Sequence, residues 1–178
     1  MSRHQITLLV VFLFFTSTAA AQHWTPPLYL DNQDAWISTT EDYQGAGGEL
    51  GYYCQTKCVS IVGIPVDCSV GGSIPILVSV EYSDTTKSGV TYGALGCIIP
   101  AGDSNVAIYT LSIYQDNQDV AENMIARATR IGIALGLDEG LQFEAYRFDL
   151  GGSMKALADL YEKMGNKPTT KQEDKAGF

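Results

Sequence analysis

Ile74-Pro75-Ile76-Leu77-Val78-Ser79-Val80-Glu81-Tyr82 is the stretch that decides the fold. Ile74, Ile76, Val78, Val80 and Tyr82 fall on one side of an extended chain, and Pro75, Leu77, Ser79 and Glu81 on the other. That two-residue period marks a half-buried β-strand. Gly71-Gly72 precedes it and the polar turn 83–89 follows, so the strand is bounded at both ends. Downstream, 90–99 reads as a second strand, with Gly93 and Gly96 marking a bulge or a close packing neighbour. After a turn at 100–105, residues 106–114 form a third, with Ala107, Tyr109, Leu111 and Ile113 on one face. Upstream, 50–54 and 59–66 read as strands around a short connection, and Pro65 puts the second at an edge or a strand end.

The pattern changes near residue 119. Asp119 with Glu122 three residues later forms a capping box ahead of an apolar stripe of Val120, Met124, Ile125 and Ala128. Arg127 and Arg130 suit the C-terminal end of that short helix. Residues 130–135 and 141–150 alternate again around a turn at 137–140 and read as a hairpin. A last helix starts near Ser153, with Met154, Leu157, Ala158, Tyr161 and Met164 as its apolar face, and Gly165 and Pro168 stop it. The fold class read from this order is mainly β: an antiparallel β-sandwich, or an open barrel, with a short internal helix and a C-terminal helix.

Four segments follow. Residues 1–21 combine Arg3, an apolar run and small residues up to Ala21, the pattern of a secretory signal peptide. The run is shorter than the roughly 20 residues a membrane span needs. Residues 22–48, rich in Pro, Gly, Asp and Asn, read as an irregular lead-in, with a flexible break at 45–48. Residues 49–165 hold the β-domain and its C-terminal helix, and 166–178 read as a mobile polar tail. The expected location is periplasmic or secreted, with no integral membrane segment after signal cleavage.

The chain carries a formal net charge of −9. Such a chain has no electrostatic attraction for nucleic acid or anionic lipid. Its four cysteines are Cys54, Cys58, Cys68 and Cys97. An even count in an exported chain predicts disulfides, and the spacings lack the paired knuckles of a structural zinc site. Of the three possible pairings, the reading favours Cys58–Cys68 closing a hairpin and Cys54–Cys97 joining two strands.

No catalytic set assembles from the sequence. Beyond residue 21 the one histidine is His23, beside the expected new N-terminus, and no Ser-His-Asp or Cys-His group can be built without a better-placed base. No metal-binding or phosphate-loop motif occurs, and no cofactor is expected. Glu81 and Glu144 on predicted strands are the pair a carboxylate-only hydrolase would use. Aromatics are the more informative feature, with ten tyrosines and two tryptophans. An exposed cluster of Trp24, Trp36 and Tyr43 on an irregular lead-in would be a recognition surface, since Tyr and Trp give large contact area with a polar handle. The turn 83–89, with Ser83, Asp84 and Lys87, is the second candidate contact.

Phe148-Asp149-Leu150-Gly151-Gly152-Ser153, running into a helix with Ala156-Leu157, resembles the end of the invasion-associated locus B family. It also resembles small periplasmic accessory proteins of type VI secretion systems. The first resemblance implies an exported bacterial protein with a β-sandwich core and no enzymatic chemistry, and it transfers no catalytic residue. The expected function is a non-catalytic binding protein of the bacterial envelope, or one secreted to a host surface. Its expected partner is another protein, with a glycan as the rival. Two alternatives stand beside it: an inhibitor or immunity protein that plugs the cleft of a secreted lytic enzyme or secretion-system effector, and the carboxylate-only hydrolase.

Overall fold

The computed structural model describes residues 24–101, 105–116, 118–136 and 143–165. The expected signal peptide, His23, the turn at 137–140 and the polar tail 166–178 lie outside the described residues. The strands are β1 (Leu28–Leu30), β2 (Ala35–Glu41), β3 (Glu49–Cys54), β4 (Cys58–Ile64), β5 (Ser73–Glu81), β6 (Gly89–Ile99), β7 (Ala107–Gln115), β8 (Gln118–Asp119), β9 (Arg130–Gly136) and β10 (Phe143–Asp149). Two α-helices accompany them, α1 (Ala121–Arg127) and α2 (Ser153–Gly165). The fold is therefore mainly antiparallel β with a short internal and a C-terminal helix.

All pairings join one sheet in the order β1-β2-β3-β4-β7-β6-β5-β9-β10, with β8 on β7. The described strands form one continuous sheet. Its ends return to each other just beyond β2, where Asp42 bridges Phe148. Arg147 N donates to Asp42 Oδ1 at 2.8 Å, and Tyr43 N donates to Arg147 O at 3.0 Å. Asp42 also accepts from Ala46 N at 2.7 Å and Gln44 N at 3.2 Å, so one carboxylate organises both the turn after β2 and the closure.

The register explains the core. Ile76, Val78 and Val80 on β5 stand opposite Leu135, Ile133 and Ile131 on β9. These residues are buried, as are Leu95 on β6, Leu111 and Ile113 on β7, and Tyr146 and Phe148 on β10. Gly93 is required on the inner face of β6: a Cβ there would sit 2.5 Å from Ser112 O and 3.2 Å from Ile76 and Val78 side-chain carbons. The other half of the interior is more polar. Ser38, Thr40, Asp42 and Ser60 are buried beside Leu50, Tyr52 and Val62.

The helices pack on each other and against β2, β3, β4 and β7. Ser153 Oγ donates to Ile125 O at 2.8 Å, and Tyr161 OH donates to Glu122 Oε1 at 2.9 Å. Asp119 Oδ1 accepts from Ala121 N at 3.0 Å and from Ile113 N at 3.2 Å, which ties the start of α1 to β7. Glu122 thus serves the helix–helix contact rather than a capping box. The buried face of α2 is Ser153, Ala156 and Leu160; Met154 and Tyr161, expected inside, are exposed.

Two expectations are corrected. The cysteines pair as Cys54–Cys58 and Cys68–Cys97, not as Cys58–Cys68 and Cys54–Cys97. Cys54 and Cys58 stand directly opposite each other in the β3–β4 hairpin, with Cα atoms 4.0 Å apart. The turn carrying Cys68 lies against β6, held by Gly71 N to Cys97 O (3.2 Å) and Cys97 N to Gly72 O (2.9 Å). The segment 22–48 is also not an irregular lead-in, because it holds β1 and β2. β2 pairs with β3 along its whole length. Its other edge is covered by β1, by Thr25 (Thr25 N to Thr39 O, 2.8 Å) and by the closure onto β10.

Candidate functional site

The structure separates the expected aromatic cluster. Trp24 stacks on the buried Tyr52 with ring centroids 5.0 Å apart. Trp36 lies 4.9 Å from the Tyr29 ring, and Lys163 Nζ stands 6.0 Å from its centroid. Both tryptophans are half-buried against the core, so they anchor the first strands rather than present a free surface. Tyr43 is exposed, but at the closure, where it shares a small polar notch with Ser79, Arg130 and Arg147.

The turn candidates do come together. Residues 83–88 hold a short 3-10 turn at Thr85–Lys87. Asp84 Oδ1 accepts from Thr86 N at 3.2 Å and from Thr86 Oγ1 at 2.7 Å, and Lys87 Nζ lies 3.6 Å from Asp84 Oδ2. The Thr86 hydrogen bonds, more than Lys87, hold the Asp84 carboxyl below its ordinary range. Ser88 Oγ accepts from Tyr82 N at 3.0 Å and ties the base of the turn together.

This turn forms one wall of a cleft of about 610 Å³, and α1 forms the other with Met124 and Arg127. Ser83, Asp84 and Lys87 all line it, with Val90 between the walls. Arg127 is exposed and makes no ion pair among the described residues. Around the rim the outer sheet face turns apolar. Val90 is 70 % exposed, Tyr92 74 %, Tyr114 47 % and Leu77 39 %. Leu77 stands directly across from Tyr92, and Tyr114 lies one step beyond the Gly93–Ile113 pair. The outward alternates of an antiparallel strand facing water are ordinarily polar; here four on three adjacent strands are not.

Val90, Tyr92, Tyr114, Met124 and Arg127 were missed by reading the sequence. The available signal was residues 90–99, which are apolar on both faces although the register leaves one face to solvent.

The carboxylate pair does not assemble. Glu81 follows the inward Val80, so it faces out, 3.6 Å from Arg130. Glu144 stands opposite the buried Leu135 on the inner face. The two carboxylates thus lie on opposite faces of the sheet and cannot flank one glycosidic bond. Among the described residues no three metal-ligating side chains converge, and no helix is long and apolar enough to cross a membrane.

No family model matches the chain, and no curated protein and no solved structure matches it either.

Proposed function

We propose that this is an exported, non-catalytic binding protein, acting at the bacterial envelope or on a host surface, and that its partner is a protein held by the outer face of β5, β6 and β7 beside the 83–88 turn. One observation carries the reading: Leu77, Val90, Tyr92 and Tyr114 form a contiguous exposed apolar row on neighbouring strands. Contiguous exposed apolar surface rimmed by polar groups marks an interaction site, and tyrosine is the residue type such sites favour. Lys87 and Arg127 line the adjoining cleft together with Val90. Two disulfides support the exported setting, since such bridges persist in oxidising compartments.

The test is a pull-down from envelope and culture-medium fractions with the oxidised chain lacking residues 1–21, beside its Val90→Ser/Tyr92→Ser variant. A saturable protein partner that the variant loses supports the reading. A partner retained by the variant removes the surface assignment, and turnover of a glycan or peptide library by the chain itself overturns the non-catalytic reading.

The inhibitor reading has one observation in its favour. The 83–88 turn is held by its own side chains, and a preorganised loop binds at lower entropic cost. A Gly-Ser replacement of equal length that leaves partner binding intact removes it.

A further inference from the structure

The cleft between the 83–88 turn and α1 has a lining and a charge that select among protein surfaces. α1 packs on α2, β4 and β7. The turn joins the ends of β5 and β6, whose ladder closes at the Val80–Gly89 pair. The cleft of about 610 Å³ lies between these two walls. Val80, Val90 and Met124 give it apolar lining. Val80 is buried, Met124 half-buried and Val90 exposed, so apolar surface runs from the core out to the mouth. Gly89 keeps space open there: a Cβ added to it would meet nothing within 4 Å.

The charges come from both walls. Asp84 and Lys87 stand on the turn, and Arg127 on α1. Asp84 is already served within the turn. Its Oδ1 accepts from Thr86 N and Thr86 Oγ1, and its Oδ2 lies 3.6 Å from Lys87 Nζ. Arg127 has no such counter-charge: it is exposed and makes no ion pair among the described residues. A chain of net charge −9 thus keeps an uncompensated guanidinium beside an apolar lining. A guanidinium matches a carboxylate in charge and in hydrogen-bond geometry.

Resting on the protein-binding reading above, we propose that the partner places an acidic side chain, flanked in its sequence by an apolar residue, in this cleft. The carboxylate pairs with Arg127, and the apolar neighbour packs on Val80, Val90 and Met124. Methionine is unbranched and adapts to the shape of what it meets. Val90 belongs both to the cleft and to the exposed row of Leu77, Tyr92 and Tyr114, so the anchor is continuous with that contact surface.

The experiment titrates the ¹⁵N-labelled, oxidised chain lacking residues 1–21 with N-acetylated, C-amidated pentapeptides. Each has glutamate at the centre, leucine or phenylalanine on either side and alanine at the ends; the controls carry glutamine at the centre. The expected result is amide shifts at Gly89, Val90, Met124 and Arg127. Binding should be about tenfold weaker for the glutamine peptides and for Arg127→Gln, the scale of one hydrogen-bonded charge pair. Gly89→Leu, which fills the open space, should lose binding while keeping its melting temperature. No shifts in the cleft, equal affinity for glutamate and glutamine peptides, or unchanged binding to Arg127→Gln overturns the proposal. The pull-down is repeated with Arg127→Gln to separate this proposal from the reading it rests on. A partner lost by Val90→Ser/Tyr92→Ser but kept by Arg127→Gln overturns the acidic anchor and leaves the contact surface standing. A partner lost by Arg127→Gln but kept by Val90→Ser/Tyr92→Ser removes the surface and supports the anchor.

Discussion

The two disulfides differ in what they close, and this sets an order that can be measured. Cys68–Cys97 spans a sequence separation of 29 and Cys54–Cys58 a separation of 4. Bridging residues removes loop-closure entropy from the unfolded chain, and the loss grows with the logarithm of the loop. At 25 °C the long bridge is worth about 3.6 kcal/mol and the short one about 1.9 kcal/mol on that relation. Removing cysteines one pair at a time would mix this term with packing, because Cys54 and Cys58 are buried. The cleaner assay uses two chains, Cys54→Ala/Cys58→Ala and Cys68→Ala/Cys97→Ala, each keeping one bridge. Each is melted oxidised and then reduced, so side-chain volume hardly changes within a pair. For a domain of this size, about 2–4 °C accompanies each kcal/mol. Reduction is expected to lower the melting temperature by about 7–14 °C where Cys68–Cys97 remains and by about 4–8 °C where Cys54–Cys58 remains. Equal drops, or a larger drop for the hairpin bridge, would refute loop entropy as the source. Unchanged melting in both chains would show that neither bridge supports the fold.

Asp42→Ala strips three main-chain N–H groups of their acceptor and opens the closure onto β10; a loss of about 2–4 kcal/mol in urea unfolding is expected, with faster hydrogen exchange at the Arg147 amide. Gly93→Ala drives a Cβ to 2.5 Å from Ser112 O, and urea unfolding should show about 1–3 kcal/mol of destabilisation from overpacking. Burial first, then Glu122, raises the Tyr52 phenol above its ordinary value of 10.0, and burial first, then Glu144, does the same for Tyr146. The unfolded chain ionises these groups sooner, so stability is full below about pH 10 and falls as pH rises above it. Urea melts between pH 8 and about 11.5 should show that decline, and Tyr52→Phe should flatten it.

What was legible in the sequence follows the polarity of the interior. β5 and β9 put isoleucine, valine and leucine on their buried alternates, so the two-residue period shows plainly in residues 74–82 and 130–135. β2 does the reverse. Its buried positions include Ser38 and Thr40, while Ile37 lies on the side facing away from the interior and is half-buried. No apolar period survives in Ala35–Glu41, and the Pro, Gly and Asn around it read as loop. The disulfide pairing was illegible for a related reason. It depends on where the chain crosses the sheet, and β4 pairs with β7 while β5 and β6 lie beyond it. Sequence distance carries no trace of that crossover. The candidate contact surface was half legible: the Asp84–Lys87 turn announced itself, but Val90 and Tyr92 become conspicuous only once the register fixes which face of β6 meets water.

The polar half of the interior carries a stability cost that one variant measures. β5 lies in the apolar half, where Ile76, Val78 and Val80 face Leu135, Ile133 and Ile131 on β9. β4 carries Ser60 on its buried alternate, and its hydroxyl has no hydrogen-bond partner among the described residues. A buried hydroxyl in that position is disfavoured. A valine at 60 would add apolar burial and remove the hydroxyl, so stability alone favours it. Ser60→Val is therefore expected to melt level with or above the unaltered chain; if it melts lower, Ser60 is supporting the fold and the argument from polarity fails.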